Sequence, residues 1–452
     1  MSIPGTHLRL LLAVVFLIVV GRVSAQNIST SGMVPGHMKK PPVDVTRVQL
    51  FTSGTVLEVR PTIPSGTSIP LASFLTGNAA TTTGTGGTIF GLQTVPTFVG
   101  AFAPENTQSP SLGMVFPFIM MGKDPLTGGT TKIPAKATEV SLQLLNADGS
   151  TFATVPFSAA FDDVVTDSPN FANALIYDSS PTTATQLADA IQRAEFFHNM
   201  NASWHTKLVG PTIVSHVTWT IPFQVNVQFA DGTVKPVRSY FTGTASDGNT
   251  FVLLLNLLFN SDFDNAVVND INLGNFTTDA LNMDWLPNTF LFSANEANPN
   301  VPGSCCVLGY HTYFYAPGSV PQPRWLTLFS SYISPGLFGG GFEDVTALSH
   351  EISETFDDPF LSNATPVWQF PGQPAGSTVC QGNLETGDPI EVLSNATVAI
   401  TLTEGLKTLT FHPQTETLLQ WFEMGATSDA VDGAFSYPNE TVLTTSAKAC
   451  GT

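Results

Sequence analysis

The stretch G-F-E-D-V-T-A-L-S-H-E-I-S-E-T-F-D-D-P, Gly341 to Pro359, decides how the C-terminal part of this chain is read. Glycines 339 to 341 lead into it and Pro359 stops it, which predicts a helix of about four turns. At ~100° per residue, Val345, Leu348, Ile352 and Phe356 fall on one side, and Glu343, His350 and Glu354 on the opposite side. His350 and Glu354 are one turn apart, so both side chains can reach one point above the helix. That is how the two histidines of an H-E-x-x-H helix hold zinc, with the intervening glutamate as general base toward the attacking water. Here the second ligand is a carboxylate, Glu354, and Glu351 stands where the base belongs. An amphipathic helix that turns its polar side to solvent gives the same pattern, so the surroundings have to decide.

From Trp325 to Leu406 the chain has no Lys or Arg, yet it holds ten acids: Glu343, Asp344, Glu351, Glu354, Asp357, Asp358, Glu385, Asp388, Glu391 and Glu404. Carboxylates repel if they converge, and Asp357 and Asp358 lie unfavourably at a helix C-terminus. A bound cation resolves the conflict, and so does plain solvent exposure. Over all 452 residues, 16 are Lys or Arg and 35 are Asp or Glu, and the net charge is −19. Charged residues make up 11% against a usual ~25%, and Phe alone numbers 33, which excludes a mainly disordered chain. A pI near 4.6 without a basic run excludes nucleic acid and an anionic membrane surface as partners.

S-H-E-I-S-E-T-F-D-D-P, Ser349 to Pro359, followed by L-E-T-G-D-P, Leu384 to Pro389, resembles the S-H-E-x-x-E and E-x-G-D signature of the phosphate-induced, EXORDIUM-like secreted proteins and related bacterial zincin-like sequences. Upstream, C-C-V-L-G-Y-H, Cys305 to His311, is similar to the Cys, Gly-aromatic-His element that often precedes it there. The resemblance spans Cys305 to Pro389. It implies a zincin-like site with His350 and Glu354 on the helix, Glu351 as base, and Glu385 or Asp388 as third ligand or as the residue orienting a ligand. His311 is then either a further ligand or a loop histidine beside disulfides. His412 reads as a turn histidine before Pro413, and His198 and His205, flanking Trp204, as packing residues. No G-x-S-x-G elbow and no strand-linked G-x-G-x-x-G is present.

The expected function is a secreted zinc-dependent hydrolase, a zincin-like peptidase acting on a peptide or protein. One alternative is a non-catalytic secreted or cell-wall-associated protein whose acids hold calcium, which prefers about six to eight oxygens. Another is a glycoside hydrolase pairing Glu351 or Glu354 with Glu385.

Arg9, the apolar run Leu10 to Val20, and Val23-Ser24-Ala25 predict a signal peptide over residues 1–25, cleaved after Ala25. The run is shorter than the ~20 residues that span a bilayer, so no membrane contact is expected after cleavage. A flexible arm, 26–44, holds the dibasic pair Lys39-Lys40, where Pro41 disfavours processing. Residues 45–293 read as β-rich and sandwich-like, with one helix near 185–200; residues 294–452 read as an α+β metal-site domain, with the Pro/Asn-rich Ala294 to Gly303 as boundary. Two look-alike segments, from Val140 and from Phe223, carry alternating apolar residues around an Ala-Asp-Gly turn, a hairpin signal that either a duplicated unit or convergence explains. Cys305, Cys306, Cys380 and Cys450 suit an oxidising compartment. Adjacent cysteines seldom pair, which leaves two connectivities, each joining Cys305 and Cys306 to Cys380 and Cys450. Glycosylation is expected at Asn27, Asn201, Asn275, Asn395 and Asn439; Pro366 weakens the sequon at Asn363.

Overall fold

Leu281–Pro287 is buried at every position, as a strand covered on both faces must be. It lies inside a seven-stranded sheet built from β1 (Val43–Asp44), β2 (Thr130–Leu145), β3 (Thr151–Val155), β4 (His205–Ile221), β5 (Leu281–Pro287), β6 (Gly309–Tyr315) and β7 (Arg324–Tyr332). The order is β1-β6-β7-β5-β2-β4, with β3 beside β2. Strands β4, β2, β5 and β7 run parallel, and β6 is antiparallel to β7. This computed structural model describes residues 40–48, 55–58, 87–89, 92–104, 111, 113–176, 184–319, 321–339, 341–374, 379–404, 406–427 and 431–450. The expected signal peptide, Asn27 and Lys39 lie outside the described residues.

Alternation along the strands divides the interior in two. Leu281, Met283, Trp285, Leu326 and Leu328 face one core, while Leu286, Tyr310, Phe314 and Phe329 face the other. Among the described residues the α-helices longer than a single turn are α1 (Ala159–Thr166), α2 (Leu187–Glu195), α3 (Asn256–Leu273) and α4 (Thr346–Asp357). On one face α3 packs the rings of Phe259 and Phe263 against Tyr310, Phe314 and Phe329. On the other, Phe161 of α1 and Leu348, Ile352 and Phe356 of α4 join the strands' apolar side chains. The fold is therefore mixed α/β, with helices on both faces of its largest sheet.

Ala294 to Gly303 does not divide two sheets. Strands β2, β4 and β5 precede it and β6 and β7 follow it in one sheet, and Thr289–Phe292 pairs with Cys305–Val307 across it. The stretch is a connection between paired strands. Both Ala-Asp-Gly segments form hairpins as expected, β2 with β3 and Gln224–Gln228 with Val234–Arg238. In each turn the aspartate accepts from a backbone N–H two residues on, and the glycine takes a positive φ, 80° at Gly149 and 84° at Gly232. Helix α2 is shorter than its predicted span, because the chain leaves helical geometry at Phe196.

The expected disulfide connectivities are corrected. Cys305 bonds Cys306, across a cis peptide, and Cys380 bonds Cys450. Cα atoms 5.9 Å apart suit the Cys380–Cys450 bridge, and with those two joined the adjacent pair has only itself. Asn201 and Asn395 are exposed, Asn275 and Asn439 half-buried, and Asn363 is buried with its amide bonded to Ile119.

The arm is anchored at Lys40. Its ammonium is 2.8 Å from Asp264 Oδ1 and 5.6 Å from the ring centres of Phe263 and Tyr310. Lys40→Met leaves Asp264 facing an apolar group, and it is expected to destabilise the fold by about 3 kcal/mol, the low end for breaking a buried pair, because Asp264 keeps some exposure. Adding Asp264→Leu should recover most of that loss in urea unfolding.

Candidate metal centre

All twelve residues of α4 are buried, His350, Glu351 and Glu354 among them. The apolar stripe Val345, Leu348, Ile352 and Phe356 packs against the sheet as predicted. The polar side is not turned to solvent; of the nine acids of the cation-free segment whose burial is described, all but Glu343 are buried. The helix begins later than its sequence pattern indicates. Asp344 takes a φ of 42°, and its carboxylate accepts from the N–H of Val345 and of His412 and faces the His412 ring at 2.8 Å. Glu343 is thereby left in the turn before the helix, and His412 serves as a clamp on that turn.

Three separate elements bring side chains to the polar side of α4. Strand β6 delivers His311, which alternation places on the same face of the sheet as Tyr313, toward the helix. The loop after Leu384 delivers Glu385. A single helical turn, Asp388–Glu391, presents Asp388 and Glu391 three residues apart and so on one face. Together with Gln414 they line one cleft.

Glu354 stands at the centre. Its Oε2 is 3.4 Å from His311 Nδ1, and its Oε1 is 3.2 Å from His350 Nε2 and accepts from the Gly387 N–H at 3.1 Å. His311 Nδ1 also lies 3.4 Å from Glu351 Oε2, and His311 Nε2 lies 3.8 Å from Glu385 Oε2. His350 Nε2 is 3.8 Å from Asp388 Oδ1, and Gln381 donates to the other oxygen of Asp388 at 2.7 Å. His311 Nε2 and Glu351 Oε2 are buried and have no hydrogen-bond partner among the described residues.

The tautomer of His350 follows from its neighbour. Gln414 Nε2 donates to the Gly387 carbonyl at 2.8 Å, which turns its Oε1 to His350 Nδ1 at 3.2 Å. An acceptor there keeps the proton on Nδ1 and leaves Nε2 as the coordinating atom, the usual support for a histidine ligand.

Burial and charge pull the acidities apart. Burial alone raises a carboxyl, but His350 and His311 override it and hold Glu354 well below the usual range. Burial lifts Glu351 to about 7 against the pull of both histidines. The histidines, which burial by itself would depress, are held well above their ordinary value, His311 by Glu351 and Glu354 and His350 chiefly by Glu354. Behind the cleft, burial raises Glu195 and Glu416 far above the carboxylate range and Asp357 to about 7.

Among the described residues three groups could each hold a metal ion, with one donor atom per residue lying within 4.8 Å of the others in its group: His311 with Glu354 and Glu385; His350 with Glu351 and Glu354; and His350 with Asp388 and Glu391. His311, His350, Glu351, Glu354, Glu385 and Asp388 thus all line one cleft. His412 lies outside the cleft, as do His205, paired with Asp189, and His198, tilted against the Phe197 ring. Glu391 and Gln414 belong to the site and were not singled out by sequence; the i, i+3 spacing of Asp388 and Glu391 was the available signal. No family model, curated protein or solved structure matches this chain.

Two glycines allow the close approach. A Cβ on Gly387 would sit 2.4 Å from His350 Nδ1, and one on Gly309 would sit 2.7 Å from Glu351 Cγ and 3.0 Å from the Phe329 carbonyl. Gly387→Ala and Gly309→Ala are each expected to destabilise by ~1–3 kcal/mol through overpacking, read as a lower urea midpoint at unchanged slope.

Proposed function

We propose that this chain is a secreted metal-dependent hydrolase, zincin-like in the part built around α4, with zinc in the cleft and a peptide or protein as substrate. The observation that carries the reading is Glu354 buried between two imidazoles, one of which has an unbonded ring nitrogen and the other a nitrogen reserved by Gln414. Imidazole nitrogens with carboxylate oxygens are zinc's usual donors, and buried polar atoms without partners fit a missing cation. His350, His311 and Glu354 are the proposed ligands, joined by Glu385 or Asp388. Bound zinc supplies Lewis acidity, lowering the pKa of water and polarising a carbonyl. Glu351 lines the cleft beside them, and its Oε2 is the acceptor for the proton of the attacking water, which it returns to the leaving amine. Secretion is supported by the apolar run and small residues before Gln26, and two disulfides accord with an oxidising compartment.

A second reading is supported by the donor set itself. Five carboxylates line the cleft, an oxygen-rich surrounding that also suits calcium held for stability. Chelation that lowers the melting temperature of a protein without hydrolytic activity favours that reading.

Metal analysis of the purified chain should find zinc at stoichiometric level, lost in Glu354→Ala. Glu351→Gln should keep the metal and slow peptide cleavage by ~10²–10⁴-fold. A wild-type protein without bound metal overturns the proposal. Because both histidine pKa values are raised, protons compete with the cation from above the ordinary ~6.5, so zinc affinity should fall as pH is lowered through and below neutrality in a titration followed by calorimetry.

A further inference from the structure

We infer that the cleft takes two divalent cations side by side, bridged by the carboxylate of Glu354, an inference that rests on the metal-site reading above. The two oxygens of Glu354 face different histidines, Oε2 toward His311 at 3.4 Å and Oε1 toward His350 at 3.2 Å. Each histidine has acids of its own. His311 Nε2 looks to Glu385, from another element, at 3.8 Å; His350 Nε2 looks to Asp388 at 3.8 Å and is grouped with Glu391. The donors therefore sort into two sets, His311 with Glu354 and Glu385, and His350 with Asp388 and Glu391, and Glu354 also reaches the second. The remaining grouping, His350 with Glu351 and Glu354, shares both His350 and Glu354 with the second set and adds only Glu351 to it.

Distances fit this division. Ligands about 2.0–2.2 Å from a tetrahedral ion lie roughly 3.3–3.6 Å from each other. At His350 Nε2 the oxygens of Glu354 and Asp388 lie 3.2 and 3.8 Å away; at His311 Glu354 faces Nδ1 at 3.4 Å and Glu385 faces Nε2 at 3.8 Å, so one ring nitrogen has to turn onto the ion, and within each set one donor atom per residue already lies within 4.8 Å of the others. Charge points the same way. Five carboxylates line the cleft; with all five ionised and both imidazoles neutral as ligands, one divalent cation leaves three negative charges buried there, whereas two leave one. His311 Nε2, in a residue only 3% exposed, has no hydrogen-bond partner among the described residues, and it faces Glu385 at 3.8 Å in the set that excludes His350, Asp388 and Glu391. A carboxylate-bridged pair is also the arrangement that clamps both the attacking and the leaving oxygen in hydrolysis.

Zinc per chain, measured by mass spectrometry on the full protein after dialysis, tests the inference without reference to activity. Two equivalents are expected in the wild type, one in His311→Ala, one in the double variant Asp388→Asn, Glu391→Gln, and none in Glu354→Ala. Reconstitution with cobalt provides a readout that needs no variant to fold: a bridged pair should couple magnetically and weaken the electron paramagnetic resonance signal of the second equivalent. One equivalent in the wild type, with an uncoupled cobalt signal, overturns the two-cation inference and leaves the metal-hydrolase reading standing. No equivalent overturns both.

Discussion

A carboxylate enclosed between two imidazoles governs how the rest of this protein must be arranged. Taking an ionised carboxylate out of water is unfavourable by several kcal/mol, and only opposite charge or donated hydrogen bonds at close range offset it. Glu354 has both, from His311 on a strand, His350 on its own helix and the N–H of Gly387 on a loop. These come from three parts of the chain, so the sheet, the helix and the loop have to meet at one place. Antiparallel β6 beside β7 sets His311 under α4, and the apolar stripe of α4 keys the helix onto the same face. The core is what fixes the polar centre in position.

The closeness of that meeting leaves little freedom. Backbone approaches side chain at Gly309 and Gly387, where even a methyl group would overlap Glu351 or the His350 ring. Gln414 then fixes the ring of His350 while itself being fixed by Gly387. Just upstream of Gly309, Cys305 and Cys306 are joined to each other, so the strand carrying His311 follows a covalently closed pair. The Cys380–Cys450 bridge holds the last residues of the chain to the strand that precedes Glu385. Both disulfides thus flank segments that line the cleft.

What could be read in the sequence was whatever has a local period or a short motif. The stripe at Val345, Leu348, Ile352 and Phe356, the His350–Glu354 spacing and the two Ala-Asp-Gly hairpins are of this kind, and the structure has them. The resemblance brought in His311, Glu385 and Asp388, residues that periodicity could not connect. Gln414 was invisible because an uncharged side chain 64 positions from His350 carries no local signal. The sheet order was hidden for the same reason: pairing β5 with β7 and β2 is a long-range fact, and a Pro/Asn-rich loop between them looked like a domain boundary. Burial of α4 on both sides was the decisive quantity, and the amphipathic pattern pointed the other way.

The cation-free segment takes its meaning from that burial. Had its acids been exposed, water would screen them and their number would say nothing. Buried, they must be neutralised, and two histidines cannot neutralise five carboxylates in one cleft. The protein alone answers with protons. Burial keeps Glu351 and Asp357 titrating near 7 and Glu195 and Glu416 well above their ordinary range, while the imidazoles hold Glu354 ionised between them. A graded set results, with the ionised group at the centre and the proton-holding groups around it. Any cation that enters competes first with the protons on His311 and His350, because those nitrogens are the ones aimed at Glu354, so charge neutralisation by metal and by proton are alternatives at the same atoms.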